Sequence, residues 1–303
     1  MTDKFISLLF ESFTNGQIRL NEQMSKHTTF RIGGPAEIYA EPESAGELTR
    51  LVSLSGEHEV PFNIIGGGAN ILAADKGVRG LVISTARLKG ISLAGEDVVV
   101  GAGESLRAAA GFCLKNSLAG FEFAAGIPGT IGGAIYMNAG AYGREIKDVA
   151  KSAEIIDESG GTAVISGESL GFGYRTSVFQ KRGVIILSAV FGLKPGIYEE
   201  IKAETERLAD MRAKSQPLSE PSAGSAFKRP EGHFPGKLIE ESGLSGFAVG
   251  GAAVSPKHCG FIVNTEGAAT AADVKRLIEH IQETVYARFG VALEPEIRFL
   301  GDF

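Results

Sequence analysis

The glycine-rich segments of this chain have residue types and a spacing that suggest the binding of a phosphate-containing ligand. Gly66, Gly67 and Gly68 directly follow the apolar stretch Val60 to Ile65, which is typical of a buried strand. Because glycines lack a Cβ atom, their backbone N–H groups can approach a pyrophosphate closely. An ordinary glycine-rich turn explains this segment equally well when it is taken alone.

A second segment, Gly126 to Ala134, combines the rigid Pro128 with four glycines. Two such loops in one chain favour a long, extended cofactor. Gly101 and Gly103 resemble the start of a Rossmann fingerprint, but Leu106 stands at the position of its third glycine. The evidence for classical dinucleotide binding is therefore weak.

Other catalytic patterns are missing from the sequence. It has no GxxxxGK[ST] phosphate loop and no HExxH motif, and its five histidines lack the spacing of metal ligands. The sequence therefore predicts no metal site and does not support phosphoryl transfer or metal-dependent hydrolysis.

The composition predicts a globular protein of two or three domains. The chain has 303 residues, 44% of them hydrophobic, and its 41 glycines indicate tight turns and close backbone approaches. A net charge of −6 argues against nucleic acid or an anionic membrane surface as the main partner. Cys113 and Cys259 form no CxxC pattern, so we expect buried free thiols in a reducing compartment.

The apolar segments are too short for membrane insertion. The stretch Phe5 to Phe10 ends at Glu11, which is too early for the apolar part of a signal peptide. No later run reaches about 18 apolar residues. We therefore expect a cytoplasmic protein.

Helix and strand signals indicate how these segments are positioned. Ser44 begins a capping box with Glu47, and Thr270 caps a predicted helix. The apolar stripe of that helix is Val274, Leu277, Ile278, Ile281 and Val285. Lys194-Pro195-Gly196 breaks the pattern and marks a predicted domain boundary.

Two later segments could carry reactive side chains. Gln216 to Gly236, which is rich in Pro, Ser and Gly, is a candidate active-site loop. A final strand is predicted over Val291 to Leu300, and it would place Glu294, Glu296 and Arg298 on one face.

Six segments, in order along nearly the whole chain, carry a family resemblance. They are His27 to Pro35, the loops at Gly66 and Gly126, Gly173 to Arg175, Gly224 to Lys228, and Leu293 to Arg298. Together they closely resemble the UDP-N-acetylenolpyruvoylglucosamine reductases, the MurB family. The first three alone would also fit flavoproteins of the vanillyl-alcohol-oxidase type, whose FAD-binding domain this family shares, whereas the last three are specific to the reductases.

The resemblance implies an α+β fold and an FAD cofactor. Residues 1–193 would form a two-lobed FAD-binding domain of the PCMH type, split near residue 85. Residues 194–303 would form a smaller α+β substrate-binding domain whose last strand returns to the flavin site. NADPH would be the hydride donor. The residues expected to bind FAD are Arg31, Gly66, Gly67, Gly68, Ala69, Asn70, Ile71, Gly126, Pro128, Gly129, Thr130, Gly132, Gly133 and Ala134.

The resemblance also implies three catalytic residues, Arg175, Ser225 and Glu296. Hydride delivery to an enolpyruvyl ether pushes charge into the neighbouring carboxylate, which the permanently charged guanidinium of Arg175 would stabilise. Ser225 would then protonate the second carbon as a general acid, with positive charge from Lys228 supporting it. Without the resemblance, Arg175 could also be a surface ion-pair residue, and Ser225 would be read as a turn residue. The residues alone do not distinguish Glu294 from Glu296.

The residues expected to contact the substrate are Tyr142, Lys214, Lys228, Arg229 and His258. Arg229 and His258 stand where some members have asparagine and glutamine. These departures, with the modest length, indicate the shorter branch of the family, which lacks an extra substrate-capping loop. Lys214 is also explained as a solvated charge at a helix end.

The implied activity is the NADPH-dependent reduction of UDP-N-acetylglucosamine enolpyruvate to UDP-N-acetylmuramate through FAD, a step of peptidoglycan precursor synthesis. Its partner would be a small nucleotide sugar, and we expect a monomer. One alternative is an FAD-linked alcohol or lactone oxidase or dehydrogenase of the same superfamily. Another is a non-catalytic flavin- or nucleotide-sugar-binding module, against which the presence of Arg175, Ser225 and Glu296 argues.

Overall fold

The computed structural model describes residues 3–14, 16–157 and 159–303. The chain divides into two compact units, each assembled from three stretches of sequence. Unit 1 comprises Met1–Leu20, Ile38–Gly67 and Gly80–Arg212, and unit 2 comprises Asn21–Glu37, Gly68–Arg79 and Ala213–Phe303.

Helices and strands follow each other along most of the chain. The helices are α1 (Asp3–Ser12), α2 (Ala45–Glu57), α3 (Leu106–Lys115), α4 (Ile131–Met137), α5 (Tyr198–Ser215), α6 (Pro235–Glu241) and α7 (Ala271–Phe289). The strands are β1 (Ile18–Gln23), β2 (Pro35–Ala40), β3 (Phe62–Ile65), β4 (Ile71–Ala73), β5 (Val78–Ser84), β6 (Ile91–Ala94), β7 (Asp97–Gly101), β8 (Leu118–Ala119), β9 (Gly140–Ala141), β10 (Arg144–Glu145), β11 (Ala150–Ile156), β12 (Thr162–Ser166), β13 (Ile185–Gly192), β14 (Lys194–Pro195), β15 (Ser222–Ser225), β16 (Ala248–Val249), β17 (Ala252–Val254), β18 (Phe261–Asn264) and β19 (Arg298–Leu300). Among the described residues, no helix is both long and apolar enough to cross a membrane.

A four-stranded sheet, in the order β1-β2-β5-β3, supports the first glycine loop of unit 1. β3 and β5 run parallel, with Phe62 opposite Leu81, and β3 ends at Ile65 just before Gly66. α2 begins at the predicted cap, where the Ser44 hydroxyl accepts a hydrogen bond from the Glu47 N–H at 3.2 Å. One buried core joins residues of α1, α2 and β5, including Phe5, Leu9, Leu48, Leu51, Leu81 and Ile83.

A second core of unit 1 lies on a five-stranded antiparallel sheet in the order β12-β11-β13-β7-β6. Residues of α3 and α4 pack on this sheet, and Phe121 contacts Phe191 edge to face with ring centroids 5.0 Å apart. Cys113 is a free thiol in this core, as predicted, and burial raises its pKa to about 12. This core supports the second glycine loop, because Ile131, Ala134 and Ile135 of α4 belong to it.

Unit 2 is built around a four-stranded sheet in the order β15-β18-β17-β16. α7 begins at the predicted cap, where Thr270 and Asp273 exchange hydrogen bonds between side chain and backbone. The predicted stripe is buried in the core of this unit, together with Leu238 and Ile239 of α6 and the free thiol Cys259. The stripe residues are Val274, Leu277, Ile278, Ile281 and Val285.

The predicted final strand is much shorter in the structure. The sequence suggested a strand over Val291 to Leu300, but β19 contains only Arg298–Leu300, and an isolated bridge joins Phe227 to Pro295. Pro295 has no N–H and cannot continue a ladder of backbone hydrogen bonds. The prediction that Glu294, Glu296 and Arg298 lie in one strand is therefore wrong, because only Arg298 belongs to β19.

The division between the two units does not fall at a single position in the sequence. Asn21–Glu37 and Gly68–Arg79 group with the C-terminal residues, which differs from one boundary at residue 194. The physical reason is pairing within unit 2: β4 lies parallel to β19, and the Asn264 side chain donates to the Phe30 carbonyl at 3.0 Å.

Candidate functional site

The two glycine-rich loops of unit 1 touch at Thr130. A Cβ on Gly66 would overlap the Thr130 hydroxyl. One on Gly67 would lie 3.3 Å from Thr130 Cγ2 and 3.4 Å from Gly129 Cα. The absence of both Cβ atoms therefore allows the loops to lie side by side with their backbones accessible.

Thr130 also provides an unpaired polar atom at this junction. Its hydroxyl is buried and has no hydrogen-bond partner among the described residues. Buried polar atoms almost always have a partner, so this one is suited to a polar ligand. Pro128 and Gly133 of the same segment are exposed, whereas Gly132 and Ala134 are buried. Bare glycine backbone beside an unpaired hydroxyl fits the pyrophosphate of FAD.

The first loop continues into unit 2 at Gly68. Gly68 has φ +62°, and a Cβ there would overlap the His27 carbonyl oxygen, so only glycine fits. The Asn70 side chain donates to the Glu296 carbonyl at 3.0 Å, and the Arg298 N–H donates to the Asn70 carbonyl at 3.0 Å. Asn70 and Ile71 are thus held against the segment that carries Glu296. Ala69 lies between them and Gly68, and the exposed Arg31 has a left-handed backbone with φ +56°.

Arg175 lies in a tight turn of unit 1. Its backbone is left-handed, with φ +54°, a conformation that is strained for an arginine. The Gln180 side chain holds this turn by donating to the Arg175 carbonyl at 3.0 Å and to the Tyr136 carbonyl of α4 at 2.9 Å. One guanidinium nitrogen of Arg175 donates to the Gly140 carbonyl at 3.2 Å.

Asn138 connects the Arg175 turn to the loop that follows α4. It is fully buried, and its amide donates to the Gly173 carbonyl at 2.9 Å and to Glu145 Oε2 at 3.1 Å. Its side-chain oxygen accepts from the Lys147 N–H at 2.9 Å. Asn138 and Gln180 therefore determine where the Arg175 side chain starts. Neither role is indicated by the sequence.

Tyr142 is 38% exposed and lies between β9 and β10 with φ +54°. It lines a cavity of about 460 Å³ in unit 1, together with Phe123, Arg144 and Leu208. A cavity of this size can contain part of a nucleotide sugar. The structure thus places the predicted substrate tyrosine at an accessible, partly polar surface.

Ser225, Lys228 and Glu296 come together in unit 2. The Lys228 N–H donates to the Glu294 carbonyl at 2.8 Å, and the Glu296 N–H donates to the Ala226 carbonyl at 2.9 Å. The segment after β15 therefore runs antiparallel to residues 294–296, with Phe227 bridged to Pro295. Ser225 is exposed and Glu296 half-buried.

The two acidic residues near this segment have different surroundings. Glu294 pairs through Oε1 with the Lys228 ammonium at 2.5 Å, while its side chain is 69% exposed. The Glu296 backbone is fixed on both sides, because its N–H binds Ala226 and its carbonyl accepts from Asn70. The structure therefore gives Glu294 an ion-pair role and fixes the backbone of Glu296.

The other predicted substrate residues, Lys214, Arg229 and His258, also belong to unit 2. Lys214 is exposed in the last turn of α5, and the Arg229 guanidinium stacks 3.7 Å from the centre of the Phe234 ring. His258 is half-buried, its Nδ1 accepts from the Gly260 N–H at 3.1 Å, and burial lowers its pKa. His258 is therefore mostly neutral at pH 7. The described residues contain no group of three His, Cys, Asp or Glu side chains that could hold a metal ion.

Comparisons with known proteins match the whole chain. The FAD binding domain family matches residues 36–166, and the family described as UDP-N-acetylenolpyruvoylglucosamine reductase, C-terminal domain, matches residues 216–300. A UDP-N-acetylenolpyruvoylglucosamine reductase from Caldanaerobacter subterraneus subsp. tengcongensis is 47% identical over 302 residues, which cover 100% of both chains. The chain belongs to the UDP-N-acetylenolpyruvoylglucosamine reductase family.

Two further members of this reductase family support the assignment. The protein from Agathobacter rectalis is 45% identical over 318 residues, with 100% of both chains covered. The crystal structure of the reductase (MurB) from Thermus caldophilus superposes with a TM-score of 0.82 at 35% identity, covering 93% of this chain and 99% of that chain. The predicted α+β reductase fold and the FAD cofactor are thereby confirmed. The roles of individual residues stay predictions.

Arg212 is a feature of this reductase that the sequence analysis missed. It lies near the end of α5, a charged helix with a polar surface, and nothing in the helical pattern distinguishes it from neighbouring surface arginines. In the structure, its Nε is buried and has no hydrogen-bond partner among the described residues. Only tertiary packing reveals this arginine.

Proposed function

We propose that the chain catalyses the NADPH-dependent reduction of UDP-N-acetylglucosamine enolpyruvate to UDP-N-acetylmuramate through FAD, a step of peptidoglycan precursor synthesis. The observation that carries the proposal is the 47% identity over the full length of both chains, since it includes the C-terminal part with Ser225 and Glu296. A shared FAD-binding domain alone would not specify the substrate.

Unit 1 is proposed to supply most of the cofactor site. Gly66, Gly67 and the Gly126–Ala134 segment would face FAD, and Gly68 to Ile71 would complete the first loop, with Arg31 nearby. The support is the junction at Thr130, where two bare backbones meet an unpaired hydroxyl. FAD, when bound, accepts a hydride from NADPH and passes it to the substrate.

Three side chains are proposed to act on the substrate. The Arg175 guanidinium would bind its carboxylate and stabilise the charge that develops there. The Ser225 hydroxyl would donate a proton to the second carbon of the enolpyruvyl group, and the neighbouring Lys228 ammonium would stabilise the resulting alkoxide. Glu296 would orient or supply protons at this site.

The nucleotide sugar is proposed to contact Tyr142, Lys214, Lys228, Arg229 and His258. Two arginines or lysines in this set are exposed and could reach the diphosphate: Lys214 and Arg229. The protein is also proposed to act as a monomer. A cytoplasmic location fits an enzyme that uses NADPH and a nucleotide sugar.

The first experiment is a visible absorption spectrum of the purified protein, followed by anaerobic addition of NADPH and then of UDP-N-acetylglucosamine enolpyruvate. We expect a flavin band that NADPH bleaches and that the nucleotide sugar restores. A reduced flavin that ignores this substrate, but is rapidly reoxidised by oxygen while an alcohol or lactone is oxidised, would instead support the alternative oxidase. A flavin band that neither substrate class affects would indicate a binding module.

A further inference from the structure

Arg212 is held against the start of the second glycine loop within unit 1. A Cβ on Gly126 would lie 3.1 Å from Arg212 Cδ and 3.9 Å from both Nε and Nη1. The missing Cβ therefore provides room for this side chain to cover the loop. The contact fixes the guanidinium beside Gly126 without engaging its hydrogen-bond donors.

The Arg212 guanidinium has no anionic partner in the described part of the chain. Its Nε is buried without a hydrogen bond, and no carboxylate lies within 4 Å of it there. Burial lowers the pKa of this guanidinium. Arg212 as a whole is half-buried, but a guanidinium nitrogen that is buried without a partner is costly, and groups of this kind concentrate at ligand sites.

Arg207 shows how an ordinary arginine of the same helix behaves. It lies five residues earlier on α5, and its side chain is 57% exposed. Its Nε and Nη2 bind the two carboxylate oxygens of Glu204, each at 2.7 Å. The contrast indicates that the position of Arg212 is not explained by helix composition.

The location of Arg212 distinguishes between the two ends of a bound FAD. The second loop meets the first, phosphate-facing loop at Thr130. Arg212 contacts Gly126, at the other end of the second loop, and lies on the same side of unit 1 as Tyr142, close enough to affect its charge. With the pyrophosphate at the Thr130 junction, as proposed above, the guanidinium would lie towards the isoalloxazine ring.

We propose that Arg212 is the counter-cation of the reduced flavin ring. A hydride brings two electrons and one proton to a neutral oxidised ring, so the reduced ring carries one negative charge near N1 and the C2 carbonyl. A positive group near N1 tunes the electronic properties of a flavin. The inference rests on the proposed function for the location of the ring, but it assigns a role to a residue outside that proposal.

The proposal is tested on the FAD-loaded protein with Arg212→Ala, Arg212→Gln and the matched control Arg207→Ala. Sulfite is the probe, because its addition to an oxidised flavin leaves the same negative charge on the ring. We expect at least tenfold weaker sulfite binding in both Arg212 variants. We also expect at least a tenfold loss in the stability of the reduced ring, which lowers the two-electron midpoint potential by about 30 mV. Arg207→Ala should match the unchanged protein in both measurements.

Equal sulfite affinity and equal potential in the Arg212 and Arg207 variants would overturn the proposal. So would a change confined to the KM of the nucleotide sugar, since the anion would then belong to the substrate. If the alanine variant loses FAD, the measurements rely on the glutamine variant, which retains a polar side chain. Neither the sulfite affinity nor the midpoint potential requires NADPH or the nucleotide sugar. A protein that binds FAD but does not reduce the nucleotide sugar would therefore contradict the proposed function and leave the proposal for Arg212 open to its own test.

Discussion

The two units position their candidate residues in different ways. In unit 1, Asn138, Tyr142 and Arg175 all have left-handed backbones, with φ of 44°, 54° and 54°. Side-chain amides that bind backbone carbonyls hold Asn138 and the Arg175 turn in these conformations. In unit 2, Ser225 to Lys228 lie beside residues 294–296 through backbone hydrogen bonds. Geometry in unit 1 therefore depends on side chains that do not react, whereas geometry in unit 2 depends mainly on the backbone.

The largest effect should come from Ser225→Ala. If backbone pairing sets the geometry of unit 2, loss of this exposed hydroxyl removes the proton donor and little else. We expect oxidation of the reduced flavin by the nucleotide sugar to slow by about 10²- to 10⁴-fold, the usual contribution of a general acid. Reduction by NADPH and thermal stability should not change. Stopped-flow absorbance measures each half-reaction separately.

Ser222→Ala is the matched control for Ser225, because it lies on the same strand, β15. Its backbone carbonyl accepts from the Thr29 hydroxyl at 2.7 Å, and the substitution retains that carbonyl. An equal loss of rate in both variants would show that unit 2 depends on its side chains for geometry, which would remove the contrast between the units.

A smaller effect is expected from Gly68→Ala. It tests a position of unit 2 whose geometry depends on a missing Cβ atom rather than on backbone pairing. The new Cβ would meet the His27 carbonyl oxygen in a left-handed conformation, so the loop must move. We expect a loss of about 1–3 kcal/mol in unfolding free energy and reduced FAD occupancy. Urea unfolding and the ratio of flavin to protein absorbance measure these quantities.

Gly232→Ala separates the two causes of that effect. Gly232 also has a positive φ, +71°, but a Cβ there would have no atom within 4 Å. It carries the conformational strain without the overlap. FAD occupancy that falls equally in both variants would contradict a specific role for the close approach at Gly68.

Gln180→Ala tests the side-chain dependence of unit 1. The substitution removes the hydrogen bonds to Arg175 and Tyr136, so the turn can relax and move the guanidinium. A displacement of about 1 Å can cost up to about 10²-fold in rate, and we expect about tenfold on the half-reaction with the nucleotide sugar. The NADPH half-reaction should be unaffected, and the KM for the nucleotide sugar should rise.

Gln17→Ala is the control for Gln180. Gln17 is also a buried glutamine of unit 1, and its amide donates to Glu47 Oε2 at 2.7 Å. Loss of this amide should lower the free energy of unfolding and leave the rates of both half-reactions unchanged. If Gln180→Ala likewise changes only stability, the amide does not position Arg175, and the two units do not differ in the way described.

Local signals were enough to predict several elements from the sequence. The caps at Ser44 and Thr270 depend on residues three positions apart, and the stripe of α7 follows helical periodicity. The strand predicted over Val291 to Leu300 was too long because the effect of Pro295 was not weighed against the apolar pattern around it.

The candidate site was less predictable because its contacts cross long stretches of sequence. Gln180 binds a carbonyl 44 residues earlier, and Asn138 binds one 35 residues later. Arg212 looks like any charged residue of α5 until packing buries its Nε. Ser225 and Glu296 were found only through the family resemblance, since an isolated serine and glutamate have no spacing that indicates chemistry.

The smallest effect concerns Asp273, a structural carboxylate of unit 2 that lies outside the candidate site. Burial alone would raise its pKa, but hydrogen bonds from Thr270, Arg276 and the Gly251 N–H outweigh burial, and the pKa is lowered. A lowered pKa means that this carboxylate stabilises the fold above the unfolded value, about 3.9. That stabilisation is lost as the pH falls through the folded-state value.

Asp273→Asn should therefore lower the unfolding free energy by about 1 kcal/mol at pH 7, the usual contribution of a charge at a helix N-terminus. The difference should narrow as the pH falls below about 4, because the unchanged protein then loses its charge too. Urea midpoints measured from pH 7 to pH 3 test this, with the exposed Asp210→Asn of α5 as the matched change of charge. A difference that persists undiminished at pH 3 would mean that shape rather than charge matters at Asp273. Unchanged rates in both half-reactions are also expected, since backbone pairing, not this cap, places Ser225 and Glu296.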